Sequence, residues 1–195
     1  ILIPKGDDNR ASVAAFQEVA DIEVPSFRGR ELVAQSGGRI FWLMKGKDIP
    51  RLIAVGKGDI GLTGTDSRIE YNQTNPNFRV DAQRLGSTIM CRFSLLTLEQ
   101  SVQSMEKILD GAAAQYPLAV TTGLPNMLNY LRGNLPIMAS DLTVSGSVEG
   151  AMKLIGTPLA ADIVDSGNTI KQNGLVELLK LADVYPEMVT RSQSL

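Results

Sequence analysis

Apolar runs of strand length alternate with segments of helical period along this chain, a pattern that predicts α/β architecture. Residues 1–4, Ile-Leu-Ile-Pro, read as a first strand, and residues 11–19 as a helix with Val13, Phe16 and Val19 on its apolar side. Residues 39–44 read as a strand. A helix is predicted from Asp48, with Pro50 inside its first turn, to about Val55, where Gly56 and Gly58 stop it. Residues 59–64, Asp-Ile-Gly-Leu-Thr-Gly, read as a buried strand ending in glycine, and 72–77, Asn-Gln-Thr-Asn-Pro-Asn, as a loop. Strands are expected at 80–85 and 92–98. A second alternation follows, with a helix at 102–109, a strand at 118–122, a helix at 126–131, a strand near Ile137, a helix at 148–155 and a strand at 160–164. The apolar stretch 175–184 is expected to pack back on the first half. The expected organisation is therefore two α/β lobes, residues 1–91 with 176–195 and residues 92–175, with a cleft suited to a small ligand.

The octapeptide Asp162 to Thr169, Asp-Ile-Val-Asp-Ser-Gly-Asn-Thr, carries the densest chemistry. An apolar strand delivers Asp162, Gly167 permits a turn closed to residues with a Cβ, and Ser166 and Thr169 add hydroxyls to the free N–H groups of a helix start. Such a start attracts phosphate. A carboxylate five positions before the glycine can accept hydrogen bonds from vicinal sugar hydroxyls while the turn wraps a phosphate, and a phosphorylated pentose suits both ends. The alternative is a polar turn between strand and helix, with Thr169 as the cap.

Composition narrows the chemistry. The 195 residues are 44% hydrophobic, enough for a substantial core. With 19 basic and 21 acidic residues and a net charge of −2, the chain lacks the electrostatic footprint of a nucleic-acid or anionic-membrane binder. Cys91 is the only cysteine, so no internal disulfide forms, and histidine is absent. That excludes Ser-His and Cys-His nucleophile pairs and leaves carboxylates with substrate phosphates as metal ligands, which points to Mg²⁺ over Zn²⁺. No apolar run of about 18 residues and no cationic export signal at the start is seen, and a cytoplasmic location is expected.

These residues resemble the catalytic subunit of ATP phosphoribosyltransferase, the enzyme that opens histidine biosynthesis, in its short form. The resemblance covers nearly the whole chain. It rests on Leu-Ile-Pro-Lys-Gly at 2–6, the segment from Lys47 to Asp66, the Cys91-Arg92 pair and Ala-Val-Thr-Thr-Gly-Leu-Pro-Asn at 119–126. It rests most on Ser-Gly-Ser-Val-Glu at 145–149, followed thirteen residues after Glu149 by the Asp162 motif. It implies a two-lobed fold like the type II periplasmic binding proteins. It also implies transfer of phosphoribosyl from phosphoribosyl pyrophosphate to N1 of ATP with release of pyrophosphate, a requirement for Mg²⁺, homo-oligomers, and a regulatory subunit related to histidyl-tRNA synthetase.

Carried over position by position, the resemblance implies that Asp162 faces the ribose hydroxyls and that Ser166, Gly167, Asn168 and Thr169 wrap the 5-phosphate. Glu149 matches an acidic position near the ribose or metal, against the alternative of an exposed carboxylate in a helix's first turn. Lys5 and Gly6 match a segment near the pyrophosphate, and Gly64 and Asp66 fall on the nucleotide side at a strand's C-terminal end. Arg92 is a candidate phosphate contact, with a surface ion pair as its alternative. Cys91, Phe41 and Trp42 are expected in the core. Some positions depart from the family pattern. Asp7, Asp8 and Asn9 stand where a basic residue and leucine are usual, leaving Arg10 the nearest cation. Asp165 replaces a small hydroxyl residue, Asn168 a basic or small one, and Lys45 an arginine. A charge like that of Asp165, roughly 5 Å from a phosphate at an effective dielectric of about 20, would cost about 3 kcal/mol unless it points away. Two other functions therefore stand beside the transferase: a catalytically weak paralogue that binds a nucleotide or phosphosugar as a sensor or assembly partner, and a solute-capture module.

Overall fold

A computed structural model describes residues 1–6, 9–110, 117–135 and 139–192. The chain forms two compact units. The first holds Ile1–Met90 and the chain from Tyr185 onward, and the second is Cys91–Val184.

The first unit is built on a six-stranded sheet of β1 (Leu2–Pro4), β2 (Val33–Ser36), β3 (Arg39–Met44), β4 (Ile60–Gly64), β5 (Val80–Arg84) and β11 (Pro186–Arg191), in the order β2-β3-β1-β4-β11-β5. β1 runs parallel to β3 and β4, and β11 inserts antiparallel between β4 and β5. β2 and β3 form a hairpin whose turn, Gly37 and Gly38, has φ of 56° and 74°, left-handed values that glycine adopts without a Cβ penalty. Side chains alternate across β1. Ile3 packs with Phe16 of α1 (Arg10–Ala20), Phe41 and Leu62, while Leu2 packs with Ile49 and Ile53 of α2 (Ile49–Ala54). Gly61 lets α2 approach the sheet, because a Cβ there would overlap Ile49 Cγ2 and lie 3.1 Å from Ile53 Cγ1. Gly61→Val is expected to lower stability by roughly 1–3 kcal/mol through overpacking, read as a fall in the urea midpoint at unchanged slope.

The second unit has a five-stranded sheet of β6 (Cys91–Leu98), β7 (Leu118–Thr122), β8 (Ala139–Thr143), β9 (Leu159–Val164) and β10 (Leu175–Val184), ordered β10-β6-β9-β7-β8. β7 is parallel to β8 and β9, and β6 lies antiparallel between β9 and β10. α6 (Val148–Ile155) and α7 (Asn168–Gln172) bury Val148, Met152 and Ile170 against Leu96, Ala160, Val164 and Leu175 of this sheet. The unit also carries α4 (Val102–Leu109) and α5 (Pro125–Tyr130). Among the described residues no helix is long and apolar enough to cross a membrane.

Several expectations need correction. The stretch 175–184 does not return to the first half: as β10 it pairs along β6, so the chain re-enters the first unit at Tyr185 and not at 176, and the first crossover falls after Met90. Apolar content marked that segment as buried but carried no information on which strand would bury it. Residues 72–74 are not loop but the end of α3 (Thr65–Thr74), where Asn72 is buried with its side chain donating to and accepting from the Val80 backbone at 3.0 Å each. Phe41 is fully buried as expected, but Trp42 is 45% exposed. It faces the same side as its register partner Leu2, where the six-residue α2 packs chiefly on β4 and β11. The strand expected near Ile137 lies outside the described residues, and β8 begins at Ala139.

Candidate active site

In the first unit, β3, β1 and β4 are parallel neighbours, so the residues after their C-terminal ends share one sheet edge. Lys5 and Gly6 follow β1, Lys45 follows β3, and Gly64 ends β4 with Asp66 in the first turn of α3. Gly6 has φ of 116°, and Asn9 Nδ2 closes the turn by donating to the Lys5 carbonyl at 2.9 Å. Lys5 and Lys45 are exposed. Thr63 Oγ1 donates to the Gly46 carbonyl at 3.0 Å, tying the segment after β3 to β4. Burial pushes the Asp66 carboxyl above its ordinary range, opposed by hydrogen bonds from Ser67 and reinforced by the charge of Glu187. A hollow of about 710 Å³ opens beside this edge, lined in part by Pro4, Gly6, Asn9, Val13, Gln17 and Phe27. Asp7 and Asp8 lie outside the described residues, and Arg10 is exposed in the first turn of α1.

In the second unit, β9 ends at Val164 and the chain turns through Asp165, Ser166 and Gly167 into α7. Gly167 has φ of 78° and ψ of 1°, so the turn uses the conformation its glycine was expected to supply. Asn168 N–H donates to Ser166 Oγ at 3.4 Å. Ser166, Asn168 and Thr169 are exposed. The helix starts at Asn168, so Thr169 is not its cap. α7 is one turn long, so the first-turn N–H groups and the hydroxyls are what it can offer an anion.

Asp162 sits near the end of β9, half-buried, its Oδ1 accepting the Ile163 N–H at 2.8 Å. Its carboxyl is pushed up to about 6, first by burial and further by the charge of Glu149, against the pull of the Ile163 hydrogen bond. Glu149 occupies the first turn of α6, where Ser147 caps the helix by accepting the Gly150 N–H at 3.2 Å and donates to Glu149 Oε2 at 3.1 Å. The charge of Glu149, thirteen residues earlier in sequence, thus reaches Asp162 in the folded unit. Among the described residues no cluster of three or more Cys, Asp or Glu side chains gathers.

Arg92 takes the ion-pair alternative. Its Nε donates to both Glu177 oxygens at 2.7 and 2.9 Å, Nη2 donates to Glu177 Oε2 at 2.6 Å, and Nη1 donates to the Asp165 carbonyl at 3.0 Å. Glu177 also accepts from Ser94 Oγ at 2.7 Å. These bonds hold the Glu177 carboxyl below its ordinary range and raise Arg92, which Asp165 raises further through its charge. Glu177 and Ser94 were not recognised from sequence, because no local motif links β10 to a loop after β9. Cys91 is half-buried at the start of β6, rather than buried in the core.

Two sheet-based α/β units, one carrying a strand-end carboxylate before a Ser-Gly-x-Thr turn, place the chain on the type II periplasmic-binding-protein plan. The plan is shown by solved structures. A complex of ATP phosphoribosyl transferase (HisG:HisZ) from Thermotoga maritima matches with a TM-score of 0.65 at 20% identity, over 97% of this chain and 85% of that one. A protein described as the binding component of an ABC transporter from Wolinella succinogenes, complexed with lysine, matches with a TM-score of 0.59 at 13% identity, over 100% of this chain and 83% of that one. The chain belongs to the ATP phosphoribosyltransferase family: the family model (HisG) matches residues 45–195, and the ATP phosphoribosyltransferase of Pyrococcus furiosus is 31% identical over 94% of this chain and 83% of its own length. Its activity is accordingly that of a pentosyltransferase at the first step of histidine biosynthesis.

Proposed function

We propose that the second unit holds phosphoribosyl pyrophosphate, that the strand-end cluster of the first unit receives ATP, and that N1 of ATP displaces pyrophosphate from C1 of the ribose. The observation that carries this reading is the placement of Asp162 on β9 directly before the Ser166–Thr169 turn, which serves the two ends of a 5-phosphoribosyl group in one stretch of chain. Ionised Asp162 accepts from the ribose hydroxyls. The Ser166 and Thr169 hydroxyls and the N–H groups around Gly167 and Asn168 donate to the 5-phosphate. Lys5, beside Gly6, opposes the charge that develops on the leaving pyrophosphate, and Gly64 and Asp66 border the nucleotide. Positioning and electrostatics of this kind supply most of what a displacement at an anomeric carbon requires, with no imidazole base.

The donor set suits Mg²⁺: Asp162 and Glu149 offer two carboxylates that repel one another, and this ion is commonly held by one or two carboxylates together with substrate phosphates. When bound, it would neutralise the pyrophosphate as it leaves. The HisG:HisZ complex of Thermotoga maritima supports, for this chain, assembly with a regulatory subunit of the HisZ kind.

The test mixes the protein with ATP, phosphoribosyl pyrophosphate, Mg²⁺ and pyrophosphatase, with and without a candidate regulatory subunit, and follows phosphate release and phosphoribosyl-ATP. Product that depends on both substrates is the expected result. Binding of phosphoribosyl pyrophosphate without turnover in either condition would favour the weakened paralogue.

A further inference from the structure

We propose that Glu177 and Arg92 form a positioning pair that sets the conformation of the Asp165–Thr169 loop, Arg92 acting through the Asp165 carbonyl and not by touching the phosphate. The proposal rests on the reading of that loop as the phosphoribosyl site.

The β6–β9 ladder ends with the pair Arg92 and Val164. Asp165 is the first residue beyond it, and no strand pairing fixes its peptide. The Arg92 side chain extends control by one residue, because Nη1 donates to the Asp165 carbonyl at 3.0 Å. A guanidinium on an eight-residue strand would swing freely unless held. Here Nε and Nη2 grip Glu177 in a fork at 2.6 to 2.9 Å, the geometry for which a planar guanidinium is suited and an ammonium is not. Glu177 is itself fixed by Ser94, whose hydroxyl donates at 2.7 Å and whose residue is fully buried.

The register explains why these groups meet. Arg92, Ser94 and Leu96 alternate onto one face of β6, Glu177 lies opposite Leu96 on β10, and Asp162 and Val164 lie opposite Ser94 and Arg92 on β9. The chain Ser94–Glu177–Arg92–Asp165 therefore crosses the sheet on the face that carries Asp162. It couples the sheet to the start of the turn that Gly167 completes. A phosphate loop already held in its bound form avoids the ordering cost that a free loop would incur on binding.

The measurement is calorimetric affinity of the full chain for phosphoribosyl pyrophosphate with Mg²⁺, and separately for ATP, with thermal melting as the folding control. Arg92→Lys keeps the charge and loses the fork, while Glu177→Gln keeps the shape and loses the charge. Each is expected to weaken phosphoribosyl pyrophosphate binding about tenfold, the size of one charge-assisted hydrogen bond, while ATP affinity stays unchanged. The double variant should bind no more weakly than Arg92→Lys alone, because Glu177 acts through Arg92. Ser94→Ala, a milder change that keeps the ion pair, should cost about threefold and add nothing to Glu177→Gln. Wild-type affinity in Arg92→Lys would overturn the proposal, since charge alone would then suffice. Tighter binding in Glu177→Gln, or additive losses in the double variant, would also overturn it by making Arg92 a direct contact. Asp162→Asn separates the two levels. If it leaves phosphoribosyl pyrophosphate affinity intact, the site reading falls and the positioning pair with it. If it weakens binding while the Arg92 and Glu177 variants do not, the pair alone is wrong.

Discussion

Asp162→Asn is expected to abolish most phosphoribosyl transfer while making the folded protein more stable at neutral pH. Both effects follow from one carboxyl. In the proposed site Asp162 is an ionised acceptor for two ribose hydroxyls, and an amide cannot reproduce both charge-assisted hydrogen bonds, so kcat/KM for phosphoribosyl pyrophosphate should fall about a hundredfold or more. The same carboxyl is held near 6, against an ordinary value of 3.8, chiefly because burial disfavours its charge. A group whose folded pKa is raised binds its proton more tightly in the native state. Its charge therefore costs nothing below the unfolded value, and the cost grows as pH rises from about 4 to about 6. Above that the cost is constant, on the order of 3 kcal/mol. Asparagine removes that cost, so the variant's urea midpoint should exceed the wild type's at pH 7.5, and the two should converge near pH 4. A variant both inactive and less stable at pH 7.5 would make Asp162 a structural residue.

The same carboxyl predicts a pH dependence of binding. Phosphoribosyl pyrophosphate affinity should weaken as pH falls through about 6 and Asp162 takes up its proton. The 5-phosphate also changes charge near pH 6, so the wild-type profile alone is ambiguous. Asp162→Asn supplies the control. Whatever slope it retains belongs to the ligand, and the difference between the two profiles belongs to Asp162. Titrating both proteins by calorimetry between pH 5 and 8, a range that brackets the two ionisations, gives that difference.

What could be read along the chain was what is local to it. The strand, the glycine turn and the hydroxyls of the Asp162 motif are contiguous, and Gly167 has the positive φ its position demanded. Helices 102–109 and 148–155 were legible to the residue, because apolar residues recur at helical spacing in both. α3 was not, since Thr65–Thr74 buries only Ile69 and Asn72 and offers no apolar stripe. β11 escaped because Pro-Glu-Met-Val-Thr-Arg has a charge in a buried place. Glu187 is only 6% exposed, and it is tolerated there by Arg68, 119 residues earlier in the chain. The destination of β10 and the bond from Arg92 to Glu177 failed for the same reason, since pairing between distant strands leaves no mark in either segment alone. For the site, the motif carried no sign of Ser94 and Glu177, which hold Arg92 against the Asp165 carbonyl.

The Arg68–Glu187 pair is where that missing information has its largest expected consequence for the first unit. Arg68 Nε donates to Glu187 Oε2, and Nη2 donates to Oε1 at 3.0 Å, with the Arg68 side chain 24% exposed and the Glu187 side chain 9% exposed. Arg84 is the register partner of Glu187, yet its guanidinium is committed elsewhere, lying 3.2 Å from the centre of the Tyr185 ring with Nε donating to the Gly86 carbonyl. Arg68→Ala therefore leaves a largely buried carboxylate without its cation, and stability should fall by about 3 kcal/mol, read as a lower urea midpoint at pH 7.5. The reason is the solvation that Glu187 cannot recover, more than the attraction lost. Arg68→Met with Glu187→Leu, which removes both charges at similar volume, should accordingly regain most of the loss. The effect extends to Asp66, two residues before Arg68, whose carboxyl already feels Glu187. In Arg68→Ala that carboxyl should move further up, so ATP affinity should respond more steeply to pH while phosphoribosyl pyrophosphate affinity does not. A loss below about 0.5 kcal/mol would place the pair among screened surface ion pairs and would separate the stability of β11 from the chemistry of Asp66.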